Sequence, residues 1–180
     1  TLIPRPESED IINLLKDYKI PGKIKLADVG TGSGCIGIAA KLENPELDIT
    51  LIDISQEALE IAKKNASSLA VKVSFICSDL LTNYLDRPDI IIANLPYVDK
   101  TWDRSPETDY EPSLALFADD NGLQLIKALL IQASDKLERG GIIILEADVA
   151  QHKDIIEFAK LKHFLMTKTQ GYAIIFEKIS

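Results

Sequence analysis

The chain has 180 residues, enough for one domain with a substantial core, and 46% of them are hydrophobic. Its 20 basic and 28 acidic residues give a formal net charge of −8, which disfavours sequence-independent binding to nucleic acid. No apolar run approaches the roughly 20 residues that span a bilayer, and no signal peptide is visible, so we expect a cytoplasmic protein without membrane contact. Cys35 and Cys77 lie in apolar stretches without disulfide or zinc spacing, so we expect buried free thiols and no metal site.

Strand-like and helix-like segments alternate along the chain from about residue 24. The predicted strands are 24–29, 47–52, 71–76, 89–93, 142–145, 164–167 and 173–177. The predicted helices are 35–42, 56–69 with Ser55 as N-cap, 123–137 and 154–161. This alternation indicates parallel strands joined by right-handed crossovers, except that the last two strands are too close in sequence for a crossover and pair antiparallel. The fold class is therefore α/β, a doubly wound, Rossmann-like sheet of seven mostly parallel strands with a C-terminal antiparallel hairpin.

A glycine-rich turn, DVGTGSG at positions 28–34, connects the first predicted strand to the first predicted helix. Glycine tolerates positive φ and lets a ligand approach the backbone closely, and the helix N-terminus adds unpaired N–H groups. The spacing G-x-G-x-G differs from the dinucleotide fingerprint G-x-G-x-x-G. It suits S-adenosylmethionine (SAM), which has no pyrophosphate and whose methionine ammonium would meet Asp28 directly or through water. We predict further cofactor contacts at Gly30, Thr31, Gly32, Ser33 and Gly34.

Two more carboxylates follow the next predicted strands. Asp53 ends the second strand, where a carboxylate accepts both ribose hydroxyls of a nucleotide. Asp79 follows the third strand, where it would accept from the adenine amino group, with Leu80 packing on the ring and Ile54 as a further cofactor contact. The turn alone fits an ordinary tight turn equally well, and the combination with the aspartates favours SAM binding.

The tetrapeptide NLPY, Asn94 to Tyr97, follows the fourth predicted strand at the edge where such sheets bind ligands. The Asn94 side-chain carbonyl and the Leu95 backbone carbonyl would accept the two N–H groups of a planar amide or amino nitrogen and stabilise its developing charge. Pro96 would stiffen the turn, and Tyr97 would lie against the planar group. These four residues are the predicted catalytic and substrate-binding set, with Asn94 also touching the cofactor. The alternative is an Asn-Pro turn beside a core tyrosine.

These motifs resemble those of the PrmC/HemK family, which methylates the side-chain amide of glutamine. The resemblance covers almost the whole chain. It includes LIPRPESE at 2–9, NLPY at 94–97, YEP at 110–112, LAL at 114–116, NGL at 121–123, and Glu146 and Gln151. The family usually has Asn-Pro-Pro-Tyr, and usually threonine where Ser8 stands. Several of these matches lie in the long irregular stretch 94–121, and a loop of that length is usually functional.

The resemblance implies one catalytic domain over 1–180, with a lid segment and helix at 1–22 and a core at 23–180. As a departure from the family, we find no counterpart of its N-terminal helical domain in this sequence. It implies methyl transfer from SAM, leaving S-adenosylhomocysteine, to the glutamine of the Gly-Gly-Gln motif in class-1 peptide chain release factors, the implied protein partner. The residues implied for the SAM site are Gly30 to Gly34, Asp53, Leu80 and Asn94. We also expect a monomer that does not bind nucleic acid directly, and we expect Arg5 to contact the substrate or to lie on the segment's surface.

Several alternatives stay open. An N-methyltransferase for adenine or guanine of rRNA or DNA would share the tetrapeptide, since NLPY occurs in rRNA adenine dimethyltransferases, but would carry a basic groove or recognition domain. A glutamine methyltransferase for a ribosomal protein differs little in sequence. A non-catalytic module that binds SAM or a protein is opposed by Asn94. We predict surface or hydrogen-bonded roles for His152 and His163. Glu146, at the end of the fifth strand, would either support the site residues or have a structural role.

Overall fold

The computed structural model describes residues 9–18, 24–97 and 120–180. In this part of the chain the helices are α1 (Glu9–Lys16), α2 (Cys35–Glu43), α3 (Gln56–Ser68), α4 (Gln124–Lys136) and α5 (His152–Leu161). The strands are β1 (Lys25–Val29), β2 (Asp48–Asp53), β3 (Ser74–Cys77), β4 (Ile90–Ala93), β5 (Ile142–Glu146), β6 (Phe164–Gln170) and β7 (Ala173–Lys178). A short 3₁₀ helix, Val149–Gln151, precedes α5.

Within the described residues, seven strands form one sheet in the order β3-β2-β1-β4-β5-β7-β6. Strands β1 to β5 are parallel, and β7 runs antiparallel to both β5 and β6. The predicted α/β sheet with its C-terminal antiparallel hairpin is confirmed. The strand order reverses between β1 and β4, and ligands bind at such reversals, beyond the carboxyl ends of the strands.

The core lies on both faces of the sheet. The central strands β4 and β5 are buried along their whole length, as their runs of isoleucine predict for strands covered on both sides. One face packs against α4 and α5, and the other packs against α1, α2 and α3. The sheet is therefore the middle of three layers.

Two element boundaries differ from prediction by three residues, and the others lie within two residues of it. Strand β3 begins at Ser74 rather than at 71, because Ala70 adopts a φ of 53° and the Val71 N–H bonds back to the last turn of α3. Strand β6 runs on to Gln170, past the predicted end at 167, through a ladder with β7 that contains a bulge after Met166. The last residues of β6 are polar because they lie on an exposed edge strand, so hydrophobic patterning does not predict that the strand continues.

Several predictions about single residues are settled by the structure. Ser55 is the N-cap of α3, as predicted, and its side chain accepts the Ala58 N–H at 3.2 Å. His152 is buried with its ring 3.2 Å from the Ala147 carbonyl, and His163 is exposed. The prediction of two buried thiols is wrong for Cys77, which is exposed on the edge strand β3, and Cys35 is only half-buried. None of the helices in the described ranges combines the length and apolar character needed to cross a bilayer.

Candidate functional site

The sheet brings the predicted site residues to one edge. The last residue of β1, Val29, pairs with β2 on one side and with β4 on the other. The next positions on these three strands are Gly30, Asp53 and Asn94, which therefore lie side by side where the strand order reverses. Asp79 and Leu80 follow β3, one strand further along the same edge.

The glycine-rich turn is held by backbone hydrogen bonds and needs left-handed backbone. The N–H groups of Gly30 and Thr31 both donate to the Ile52 carbonyl, at 2.8 and 2.9 Å. Gly30, Gly32 and Gly34 have φ values of 71°, 56° and 82°, which L side chains rarely adopt. Gly34 is the N-cap of α2 and brings no side chain to it. The turn therefore places the start of α2 directly beyond β1.

Asp28 supports this turn from below. Its side chain is 1% exposed, and its Oδ2 accepts the Thr31 hydroxyl at 2.6 Å and the Gly37 N–H at 3.0 Å. Burial raises the pKa of Asp28 to about 6, and the two hydrogen bonds oppose that rise. Asp28 thus binds the turn itself, and a contact to the methionine ammonium remains a prediction.

Gly37, which sequence reasoning did not identify, makes the position of Asp28 possible. A Cβ at Gly37 would lie 2.8 Å from Asp28 Oδ2 and 2.3 Å from Leu51 Cδ2. Any other residue would push α2 away from β1 and β2. A glycine inside a predicted helix was the available signal, since it lowers helix stability and usually has a packing reason.

The Asp53 carboxylate is fixed by two backbone N–H groups, those of Gly32 and Ser55. Its Oδ2 accepts the Gly32 N–H at 2.8 Å, and its Oδ1 accepts the Ser55 N–H at 2.8 Å. Each carboxylate oxygen retains acceptor capacity, and the side chain is only half-buried. The neighbouring Ile54 is 70% exposed. The site therefore offers an oriented carboxylate beside an apolar surface.

Beyond β3, the chain turns sharply. Ser78 is buried, its N–H donates to the Asp53 carbonyl at 2.9 Å, and its hydroxyl accepts the Asn83 N–H at 2.9 Å. Asp79 is exposed, whereas Leu80 adopts a φ of 48° and is buried against the core. The Asp79 carboxylate is thus accessible at the rim, and packing of Leu80 on an adenine ring remains a prediction.

The tetrapeptide after β4 contacts the glycine-rich turn. Leu95 is 4% exposed, and a Cβ on Gly30 would lie 2.7 Å from Leu95 Cδ2 and 4.0 Å from the Asn94 carbonyl oxygen. Asn94, Pro96 and Tyr97 are half-buried. The predicted donor-binding turn and the predicted acceptor-binding tetrapeptide are therefore in van der Waals contact.

Tyr97 is attached to the end of β5. Its hydroxyl lies 3.3 Å from Oε1 of Glu146, a carboxylate that is 2% exposed. Its carbonyl accepts the Gln151 side-chain amide at 2.8 Å. This contact fits either role predicted for Glu146, whereas Gln151 was named only through the family resemblance.

Some predicted residues cannot be placed. Arg5 and the motifs at 2–8, 110–112 and 114–116 lie outside the described residues, as does most of the long stretch after Tyr97. Within the described residues, no group of three or more His, Cys, Asp or Glu side chains is arranged to hold a metal ion.

A hollow of about 360 Å³ lies at the opposite, amino edge of the sheet, a volume within the range of ligand pockets. It is lined by Ile12, Leu15, Lys16, Tyr18, Ile24, Ala40, Glu43, Asn44, Leu47 and Ile90. None of the predicted site residues within the described ranges lines it, and ligands of such sheets bind at the carboxyl edge. The carboxyl edge is therefore the candidate site.

Comparison with known proteins identifies the chain's family. The sequence profile described as "Methyltransferase small domain" matches residues 11–107, more than half of the chain. The chain belongs to the methyltransferase small domain family. Among curated members, a release factor glutamine methyltransferase of Streptococcus pneumoniae is 35% identical over 165 residues, covering 90% of this chain and 59% of that protein. Another, from Leptospira interrogans, is 40% identical over 155 residues, covering 81% of this chain and 54% of that protein.

The predicted resemblance to glutamine methyltransferases is thus confirmed, and the chain spans somewhat more than half the length of these relatives. Solved methyltransferases share the fold. A ribosomal protein L11 methylase from Lactobacillus delbrueckii superposes with a TM-score of 0.72 at 20% identity, covering 98% of this chain and 81% of that one. A Thermus thermophilus 16S rRNA N2 G1207 methyltransferase, solved with AdoMet and guanosine, gives 0.70 at 18% identity, covering 99% and 44%.

Proposed function

We propose that this chain is the catalytic domain of a SAM-dependent methyltransferase that methylates the glutamine amide nitrogen in the Gly-Gly-Gln motif of class-1 peptide chain release factors. The observation that carries the proposal is the contact between Leu95 of the tetrapeptide and Gly30 of the glycine-rich turn. It sets a candidate amide-binding group directly beside a candidate cofactor-binding turn. The names of the relatives that cover most of this chain favour glutamine as the acceptor.

The residues at the carboxyl edge fit SAM. The left-handed glycines leave the backbone open to close approach. Asp53 is held by two N–H groups in an orientation suited to ribose hydroxyls, and exposed Ile54 offers an apolar surface for the base. Asp79 is accessible to an adenine amino group. The remaining proposed contacts are Asp28, Thr31, Ser33, Leu80 and Asn94.

In the proposed chemistry, two carbonyl oxygens of the protein accept the N–H groups of the substrate amide. When bound, SAM supplies an electrophilic methyl carbon, whose transfer to nitrogen leaves S-adenosylhomocysteine and releases one amide proton. The side-chain carbonyl of Asn94 accepts one N–H of the glutamine, and the backbone carbonyl of Leu95 accepts the other. These oxygens stabilise positive charge on the nitrogen. Pro96 restricts the turn, and Tyr97, held through its hydroxyl by Glu146, covers the planar amide.

Leu95 stands where the glutamine methyltransferases usually have proline. The proposed acceptor is its backbone carbonyl, which any residue supplies, and its side chain is buried against Gly30 instead of facing the edge. The substitution therefore leaves the proposed acceptor group in place.

The remaining parts of the proposal concern the chain as a whole. We assign residues 1–180 to this one catalytic domain, with Arg5 as a substrate contact, a release factor as protein partner, a monomeric state and a cytoplasmic location. The negative net charge supports a protein acceptor over a nucleic acid.

A labelling experiment tests the proposal. The protein is incubated with methyl-labelled SAM and a class-1 release factor, its Gly-Gly-Gln variant with glutamine replaced by alanine, or rRNA. We expect label in the unaltered release factor alone. Asn94→Ala should lower the rate at least about 100-fold, as loss of a transition-state hydrogen-bonding group does. Asn44→Ala, at the opposite edge of the sheet, should leave the rate unchanged. Label in rRNA, or labelling independent of the glutamine, would overturn the substrate assignment.

A further inference from the structure

One buried side-chain amide, that of Gln151, joins three segments of the chain. The residue is 4% exposed. Its Nε2 donates to the carbonyls of Tyr97 and Asn121, both at 2.8 Å, and its Oε1 accepts the Asp148 N–H at 3.2 Å. Both N–H groups and the oxygen of the amide are thus used. Because the amide is buried, removing it would leave two carbonyls without these partners.

Gly122, directly after Asn121, leaves no room for a side chain beside the Gln151 amide. A Cβ on Gly122 would lie 1.9 Å from the Tyr97 carbonyl oxygen and 2.6 Å from Gln151 Nε2. Gly122 also has a φ of 81°, so a side chain there is both strained and obstructed. The start of α4 and the end of the tetrapeptide therefore meet at the Gln151 amide.

Gln151 is itself rigidly held. It belongs to a 3₁₀ turn that is capped reciprocally, since the Asp148 side chain accepts the Ala150 N–H at 2.8 Å while Gln151 accepts the Asp148 N–H. The turn follows β5 directly, and β5 ends at Glu146, which contacts the Tyr97 hydroxyl. Tyr97 is thus held at its hydroxyl by the end of β5 and at its carbonyl by the 3₁₀ helix that follows β5.

We infer that Gln151 is a positioning residue for methyl transfer, which sets the location of the Asn94 and Leu95 carbonyls through Tyr97. This inference rests on the proposed function. Only Pro96, whose ring fixes φ, lies between Tyr97 and Leu95, so a displacement of Tyr97 moves the Leu95 carbonyl. Displacements of about 1 Å at a reacting group lower rates by up to about 100-fold.

The test compares Gln151→Glu with a matched control. The glutamate is nearly isosteric but, when ionised, donates no hydrogen bond to the two carbonyls. Lys41 also donates to two backbone carbonyls, those of Pro45 and Leu47, but lies far from the site at the end of α2. We expect Gln151→Glu to lower kcat with a release factor about 10- to 100-fold and to change the KM for SAM less than about threefold. Lys41→Met should leave both constants unchanged.

Hydrogen exchange of the proteins without ligand supplies a second measurement. In Gln151→Glu, amides in 94–97 and 120–123 should exchange at least about tenfold faster, while those of the glycine-rich turn keep their wild-type rates. If Gln151→Glu does not fold, Gln151→Met, which also lacks the donors but carries no charge, replaces it in both measurements. Unchanged exchange at these segments, or a kcat within twofold of wild type, would overturn the inference. If the wild-type chain methylates no release factor, the proposed function fails, and exchange alone decides whether Gln151 holds the tetrapeptide.

Discussion

Asp28 is an ionisable residue buried beneath the turn that it supports. Its surroundings raise its pKa from 3.8 to about 6, mainly because the carboxylate loses its hydration. A folded-state pKa above the unfolded value means that the folded protein binds the proton more tightly. The contribution of Asp28 to stability is therefore fully present below pH 3.8 and is lost as the pH rises through about 6. Near neutral pH the charged group costs stability, as groups retained for function often do.

Asp28→Asn should accordingly stabilise the protein near neutral pH while weakening SAM binding. An asparagine carbonyl still accepts from Thr31 and Gly37 but carries no charge to desolvate. We expect the free energy of unfolding to rise by on the order of 2 kcal/mol above pH 7, with the gain shrinking as the pH falls from 7 to 4. Urea unfolding across this pH range and calorimetric titration with SAM measure both effects.

The control for this substitution is Asp135→Asn, which removes an exposed carboxylate on α4. Its effect on unfolding should stay within about 0.5 kcal/mol at every pH. A gain for Asp28→Asn that is equally large at pH 4 and pH 8 would contradict the assignment of the gain to the buried charge.

At the level of elements, α3 begins in the same short segment that carries the proposed cofactor contacts Asp53 and Ile54. The Ser55 hydroxyl caps the helix, while the Ser55 N–H donates to the Asp53 carboxylate. We therefore expect the Ser55 side chain to contribute to stability and its N–H to orient the proposed ribose-binding carboxylate of Asp53. This arrangement predicts that substitution of Ser55 lowers stability, whereas substitution of Asp53 lowers the affinity for SAM.

Ser55→Ala should lower the free energy of unfolding by about 1 kcal/mol, because it removes the cap but keeps the N–H. Its affinity for SAM should change less than about twofold. Asp53→Ala should weaken SAM binding at least about tenfold, since the charge-assisted bonds to ribose are lost. Thermal unfolding and calorimetry separate the two effects, with Ser68→Ala near the exposed end of α3 as the control. A large loss of affinity in Ser55→Ala would show that the two roles are not separable.

Elements buried on both sides were predictable to within a residue or two. Runs of isoleucine located β4 and β5, and the helical spacing of apolar residues after the Ser55 N-cap located α3. The sequence did not reveal that β3 is an edge strand, which decides the exposure of Cys77, because strand order is a long-range property. For the same reason it supplied the spacing of Gln151 but not its partners, which come from two other segments of the chain.

For the whole molecule, the two edges of the sheet at the strand ends differ in character. The hollow at the amino edge is lined mainly by apolar side chains of α1, α2 and the starts of strands. The carboxyl edge carries the oriented carboxylates, the left-handed glycines and the tetrapeptide. Cavity size alone does not distinguish a ligand site from imperfect packing, whereas fixed polar groups at a reversal of strand order indicate one.

Hydrogen exchange with and without SAM should therefore reveal which edge binds the ligand. A ligand at 100 times its Kd stabilises the bound state by about 2.7 kcal/mol, which slows exchange about 100-fold wherever opening requires its release. We expect this slowing at 29–34, 53–55, 78–80 and 94–97, where local opening would break the proposed contacts. Amides at 12–18 and 40–47, which line the amino-edge hollow, open without disturbing those contacts and should keep their rates. Slowing confined to the amino edge would mean that the ligand occupies the hollow, and the assignments of Asp53 and Asn94 would both be wrong.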